Sequence, residues 1–392
     1  MKRILILGAS LLQVPAIIKA KELGYYVGVV DYDASAPGIQ YADEYYNVST
    51  NDIAHVVELA KRFRANGVTT LATDLPVRTV AAVCEELGLP GISLETAIRA
   101  TDKGEMIKAF AAHSVAHPWF IICESIYDPD LSYIEYPCIV KPTDNSGSRG
   151  VILVNSKHEI RDALEYSRQR SRSGRVIIEE YLQGHEVSVE IFVRNGIPHV
   201  IAVTDKITTG PPHFVEMGHS QPSRLGTDDI SRVSDLAVRA VRAVGIHSGP
   251  AHVEVMLTDT GPVMIELGAR LGGDFIATHL VPLSTGVDLV AATIHEACGD
   301  SYNIEPRFQQ GSAVRYLTAQ SSGTIRSIDG VREALRIPGI QEVILMKRIG
   351  ETVGKPMSSN DRIGVVIAES ADALGAENAC RAAIECIGIE TC

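Results

Sequence analysis

The chain has 392 residues, 45% hydrophobic and 21% charged, with a formal net charge of −12. The length is too great for one ordinary core and implies roughly two to four folded domains. The acidic balance argues against a nucleic-acid partner, because binding a phosphate backbone needs clustered Lys and Arg. The one basic cluster, RQRSRSGR at 168–175, is short and reads as a solvated helix end and loop.

The seven cysteines show no paired spacing. That usage fits reduced core cysteines in a cytoplasmic protein, not a disulfide or zinc framework. The first apolar run stops at Gly8 and Lys19 follows soon after, which reads as a buried strand and not a signal peptide. No stretch of about 18 apolar residues occurs, so no membrane helix is expected.

In chain order, residues 3–7 read as a strand and 14–23 as a helix closing at Gly24. Residues 26–30 are a second strand ending at Asp31. A helix over 53–66, a strand over 68–72 and a helix over 77–87 follow. This βαβαβ order implies a parallel, doubly wound sheet. The first turn, Gly8-Ala9-Ser10-Leu11-Leu12-Gln13, has glycine at only the first position of the dinucleotide fingerprint, so it reads as a tight turn beside a substrate crevice.

A new segment opens at Thr101, with Asp102 and Glu105 spaced as a capping box before a helix to about residue 113. Residues 139–205 are strand-rich. Strands over 186–193 and 198–204 flank Asn195-Gly196, a hairpin signal. A helix over 233–244 precedes a second hairpin, with strands over 251–257 and 263–267. A helix over 283–298 follows. Residues from about 310 to 392 alternate short strands and helices and read as a small separate α+β domain.

Four features carry chemistry. Glu254 and Glu266 are each six residues from Thr260, so a symmetric hairpin makes them cross-strand neighbours. Like charges placed opposite each other are destabilising. A divalent cation relieves this, as does exposure to water or neutralisation by Arg270. The stretch KPTDNSGSRG, from Lys141 to Gly150, is either a phosphate cradle of small residues with a lysine or a plain hairpin loop. The stretch VIIEEYLQGHEVSVE is either a turn that offers backbone to a flat base and Glu186 to a ribose, or a charged strand end. Lys103, in a first helical turn, is either solvated or matched to an anion.

Together and in this order, these features resemble the ATP-grasp superfamily of carboxylate–amine ligases, over nearly the whole chain. The resemblance implies an α/β chain with the ATP-grasp fold. Residues 1–100 would be a Rossmann-like pre-ATP domain and 101–305 a two-lobed ATP-clamping region with a mobile lid lobe at about 116–182. Residues 306–392 would be the small C-terminal domain.

It also implies roles. Lys103 and Lys141 contact the ATP phosphates, and Ser146, Gly147, Ser148, Arg149 and Gly150 form the loop above them. Glu179, Glu180 and Leu182 receive adenine, and Glu186 the ribose. Glu254 and Glu266 hold Mg²⁺ or Mn²⁺. Arg270, with Lys141, acts on the transferred phosphoryl group. One departure stands out: many members carry Asn where this chain has Gly268. The sequence GARLGGD is closer to the L-amino acid ligase type, in which Gly272 and Gly273 approach the substrate.

His213, His247 and His252 are substrate candidates or structural histidines, and 208–213 and 216–220 read as loops reaching the acyl pocket. The implied activity joins a small carboxylic acid to an amine through an acylphosphate, releasing ADP and phosphate. A carboxylase, a formate-dependent transferase and a non-catalytic nucleotide-binding protein are the alternatives. The implied partners are small molecules, with neither nucleic acid nor membrane, and a homodimer is common in such enzymes.

Overall fold

A computed structural model describes residues 1–124, 130–319 and 321–392. Strands β1 (Arg3–Leu7), β2 (Tyr26–Val30), β3 (Glu44–Tyr46) and β4 (Gly67–Thr69) form a parallel sheet in the order β3-β2-β1-β4. β1 is apolar throughout because both of its faces are covered. Ile4 and Ile6 pack with Ala16, Ile17 and Ala20 of helix Val14–Glu22, whereas Leu5 and Leu7 pack with Val56, Leu59 and Phe63 of helix Ile53–Phe63.

Two boundaries differ from expectation, both through left-handed residues. The helix over 53–66 stops at Phe63 because Arg64 caps it at a φ of 56°. β4 stops at Thr69, the Thr70 hydroxyl donates to the Leu7 carbonyl, and Ala72 turns the chain out at a φ of 56°. The first turn is packed by its own side chains. The Gln13 amide fills it and donates to Leu71 O at 2.6 Å, while the Asp31 carboxylate accepts from Ala9 N and Asp33 N.

Helix Lys103–Ala112 starts where Asp102 accepts from Gly104 N and Glu105 N. Glu105 does not reciprocate; its carboxylate meets Lys108 and Arg175. Next come β5 (Phe120–Cys123), β6 (Cys138–Pro142), β7 (Ile152–Val154) and β8 (Val176–Glu180), an antiparallel sheet ordered β5-β8-β6-β7.

The largest sheet is antiparallel. It begins with β9 (His185–Arg194), β10 (Ile197–Thr208), β11 (Glu216–Gln221), β12 (Gly249–Thr258), β13 (Gly261–Gly268) and β14 (Gly311–Leu317). β15 (Gly323–Asp329), β16 (Ile340–Leu345), β17 (Thr352–Val353), β18 (Gly364–Ser370) and β19 (Gly388–Thr391) complete the strands. The order is β13-β12-β9-β10-β11-β14-β18-β16, and β17-β15-β19 form a small separate sheet.

Three expectations are corrected here. First, strands of the tail continue the central sheet. β14 and β18 are apolar on alternate residues toward two cores, Val314 and Ile367 on one face, Ala313 and Val366 on the other, so both need sheet neighbours. Second, residues 216–220 are strand and not loop: β11 is paired on both sides, by β10 and β14. Third, the helix over 283–298 is broken. Val281–Thr285 ends at Gly286, with a φ of 76°, and Leu289–Ala297 restarts under the Asp288 cap on Ala291 N. Helix Thr227–Val244 also begins before residue 233, where Asp228 and Asp229 in its first turn complement the positive end of the helix dipole.

No single helix among the described residues is long and apolar enough to cross a bilayer. The bent pair that satisfies length and composition, Ile276–Thr285 with Leu289–Ala297, is packed into the largest core.

The crossing from β8 to β9 depends on Gly184. A Cβ there would lie 2.1 Å from the Leu257 carbonyl oxygen, and the φ is 156°. Gly184→Ala is expected to lower stability by about 2–3 kcal/mol, read from the midpoint of urea unfolding at unchanged slope.

Candidate active site

The hairpin β12–β13 pairs Glu254 with Glu266, with a bulge immediately after Glu254. β12 also pairs with β9, placing His252 opposite Glu190, Glu254 opposite Ser188 and Met256 opposite Glu186. Alternate residues of three strands therefore put four glutamates on one face of an otherwise apolar sheet. Carboxylates in such surroundings need partners, and each has one.

Lys206 of β10, with its side chain only 5% exposed, is 2.7 Å from Glu186, 2.8 Å from Glu254 and 3.5 Å from Glu216. Lys103 is 3.0 Å from Glu266 and donates to Asn145 O. His252 pairs through Nδ1 with Glu190 at 2.6 Å and through Nε2 with Glu254 at 3.3 Å.

The charges set the protonation states. Burial alone would lower the Lys206 pKa, but Glu186, Glu254 and Glu216 hold it well above the usual value. Burial opposes ionisation of Glu254, yet Lys206 and His252 keep its carboxyl well below the usual range. Glu186 goes the other way, since burial and the Glu254 and Glu216 charges outweigh Lys206. His252 is pushed up to about 9, burial being overcome by the Glu190 carboxylate and then by Glu254.

A cavity of about 520 Å³ opens over this face. It is lined by Lys103, Lys141, Ser146, Gly147, Ser148, Arg149, Glu179, Glu180, Leu182 and Glu186, together with His252, Glu254, Glu266, Arg270 and Gly273. Lys141 and Glu179, both buried, form an ion pair at 2.6 Å. Glu180 N donates to Trp119 O. The Ser148 hydroxyl donates to Phe214 O, which fixes the glycine-rich turn against the loop between β10 and β11.

Four of the sequence-derived residues do not line this cavity. Gly150 closes the loop behind it, its carbonyl accepting from the Ser167 hydroxyl. His213 lies in the loop between β10 and β11. Gly272 packs under the ion pair, where a Cβ would be 2.8 Å from both Glu190 Oε2 and His252 Nδ1. His247 is exposed and away from the cavity.

Arg270 meets Asp74, from the loop after β4, through Nε at 2.8 Å and Nη2 at 3.2 Å. Arg270 is not the partner of the glutamate pair. Asp74 also explains Gly268: a Cβ at that position would lie 3.0 Å from Asp74 Oδ1 and 3.2 Å from Arg270 Nε. The tail contributes as well. Arg362 binds Asp274 through both terminal nitrogens, at 2.7 and 2.9 Å, and stacks 3.7 Å above the Tyr316 ring. The His219 ring lies 3.6 Å from Asp274.

Lys206, Glu190, Asp74, Asp274 and Arg362 were missed from sequence. Only Glu190 had a usable signal, its spacing of four from Glu186 on a period-two strand.

The chain is similar to known proteins. The ATP-grasp domain family matches residues 134–278, and the L-amino acid ligase C-terminal domain 2 family matches residues 315–391. A formate-dependent phosphoribosylglycinamide formyltransferase of Escherichia coli O157:H7 is 31% identical over 280 residues, spanning 68% of this chain and 69% of that protein. Alanine–anticapsin ligase of Bacillus subtilis strain 168 is 26% identical over 292 residues, 68% of this chain and 61% of its own length. The crystal structure of an L-amino acid ligase from Bacillus licheniformis has the same fold, with a TM-score of 0.88 at 23% identity, covering 100% of this chain and 99% of that one.

The raised His252 pKa has a thermodynamic consequence. A group whose folded value lies above its unfolded value of about 6.5 stabilises fully below that pH and loses the contribution as pH rises through about 9. Urea unfolding of the wild type is expected to weaken on the order of 3 kcal/mol more than that of His252→Gln between pH 6 and 9.5.

Proposed function

The chain belongs to the ATP-grasp superfamily of ATP-dependent carboxylate–amine ligases, and from that premise we propose that it activates a small carboxylic acid, an amino acid foremost, as an acylphosphate and joins it to an amine. The observation that carries this reading is the convergence of Lys103, Lys141, Glu254, Glu266 and Arg270, from four elements and the turn after β13, on one cavity.

A carboxylate is a poor electrophile. Its oxygen attacks the γ-phosphorus of ATP, the bond from that phosphorus to the β–γ bridging oxygen breaks, and ADP leaves. The amine nitrogen then attacks the acyl carbon, the carbon–oxygen bond to phosphate breaks, and the amine releases a proton. Phosphoryl transfer needs positioning and charge neutralisation more than covalent help. Lys103 and Lys141 bring positive charge to the α- and β-phosphates. Arg270, held by Asp74, faces the transferred group.

Mg²⁺ arrives with ATP as part of the substrate and would neutralise phosphate charge. Glu254 and Glu266 are the residues that would hold it. The donor set fits, because Mg²⁺ takes one or two carboxylates beside phosphate oxygens. Among the described residues no three His, Cys, Asp or Glu side chains converge as a protein-only cage.

The tail supports the amino acid ligase reading, since residues 315–391 match that family's C-terminal domain and Arg362 reaches the cavity. A formate-dependent transferase is the second reading, favoured by the 31% identical relative.

An ADP-release screen with amino acids singly and in pairs, and with formate and bicarbonate, separates the two. Arg270→Ala is expected to lower turnover on the order of 10²–10³-fold while ATP affinity is retained; a wild-type kcat would remove the assignment. Trypsin cleavage at Arg149, which is exposed, is expected to slow when MgATP is added, and equal rates would count against closure of the loop over the nucleotide.

A further inference from the structure

The basic cluster at 168–175 reads from sequence as a solvated helix end and loop, and Arg170 and Arg172 are exposed. The segment nevertheless supports the glycine-rich loop along its length. The Ser167 hydroxyl donates to Gly150 O, and the Asn145 amide donates to Arg170 O. Asp144 accepts from the Ser171 hydroxyl and from Arg172 N and Ser173 N. Thr143 N donates to Arg175 O.

Arg175 is the member of the cluster that is not solvated. Its side chain is 21% exposed, and each nitrogen meets a different carboxylate. Nη1 is 3.2 Å from Asp102, Nη2 is 3.3 Å from Glu105 and Nε is 3.0 Å from Glu124. Asp102 is buried and joins two elements. Its Oδ1 accepts from Gly104 N and Glu105 N, which starts the helix Lys103–Ala112. Its Oδ2 accepts from Arg175 and, at 3.2 Å, from the Thr143 hydroxyl. The carbonyl of Thr143, a fully buried residue, in turn accepts from Lys103 N at 2.8 Å.

Both phosphate-facing lysines leave this junction. Lys103 follows Asp102 directly. Lys141 lies two residues before Thr143 on β6 and pairs with Ile177, two residues after Arg175 on β8. Two ammonium groups serving neighbouring phosphates need a fixed spacing, although they repel each other and stand on separate elements. Supporting side chains have to hold such groups to within about 0.5 Å. A planar guanidinium with donors in three directions can lock a helix start to a strand, and a lysine, as a single point charge, cannot.

We propose that Arg175, acting through Asp102 and Thr143, is a positioning residue for ATP: it fixes the spacing of Lys103 and Lys141 and so supports affinity for the phosphates and not for the adenosine. The inference rests on the ligase reading, in which those lysines meet the α- and β-phosphates.

The test compares MgATP with adenosine by titration calorimetry on the whole chain. In Arg175→Gln the Kd for MgATP is expected to rise about ten-fold while that for adenosine is unchanged. Thr143→Val removes the hydroxyl from the other side of Asp102 and is expected to act in the same direction, so the test stands even if Arg175→Gln does not fold. Arg175→Lys is expected to recover only part of the loss, because it keeps the charge and loses the fork. In a Lys103→Met background, where one of the positioned groups is gone, Arg175→Gln is expected to weaken MgATP binding less than about three-fold.

Equal losses for MgATP and adenosine, unchanged MgATP affinity in both variants, or full additivity with Lys103→Met would overturn the proposal. Wild-type protein that binds adenosine as tightly as MgATP removes the phosphate roles of the lysines, and the ligase reading and this inference with them. A wild-type preference for MgATP that survives undiminished in both variants overturns the positioning role alone.

Discussion

The site is built around a like-charge problem. Glu254 and Glu266 face each other across a hairpin, and Glu186, Glu190 and Glu216 lie on neighbouring strands of the same sheet. Uncompensated, such a group opposes folding, because several carboxylates cannot all ionise in a half-buried apolar setting. Lys206 resolves most of it by touching three of them, while Lys103 and His252 take the rest. A buried ion network of this kind is poor evidence for stability by itself. Its value here is preorganisation: fixed charges of both signs stand around one cavity before any ligand enters.

The second constraint is that no single segment can complete the cavity. Asp74 comes from the loop after the parallel sheet, Lys103 from a helix start, Lys141 and Glu179 from paired strands, and Arg362 from the tail. These parts meet because the tail strands β14, β18 and β16 extend the central sheet, which sets Arg362 beside Asp274. Asp274 and Phe275 adopt left-handed φ values of 50° and 65°, so the chain after Arg270 bends sharply around that contact. Backbone of this kind persists only where surrounding contacts over-determine it, and the two-pronged Arg362–Asp274 pair is one such contact.

Gly268 shows how one part conditions another. Read within its hairpin, it is only the last residue of β13. Beside the Asp74–Arg270 pair it is the residue that leaves room for them, because the Cβ position lies 3.0 Å from the Asp74 carboxylate. A residue at a strand end is thus constrained by a partner nearly two hundred residues away in sequence.

Much was legible from sequence wherever the physics is local. Period-two alternation with Asn195-Gly196 and with the turn ending at Gly261 located both hairpins, and equal spacing from Thr260 was enough to pair Glu254 with Glu266. The alternation of strand and helix over the first hundred residues announced the parallel sheet. What remained hidden was decided by partners distant in sequence. Polar β11 reads as a loop until β10 and β14 supply its hydrogen bonds. Lys206 reads as one more charged residue until the sheet places Glu186, Glu216 and Glu254 around its ammonium. Asp74, Asp274 and Arg362 carry no periodic signature, since an ion pair between separate elements depends on where the chain folds back and not on its neighbours. The sequence by itself determined the two hairpins and which two carboxylates face one another across the second. The tertiary structure alone decided which cation answers each of them, because charge compensation acts through space over a few ångströms and leaves no pattern along the chain.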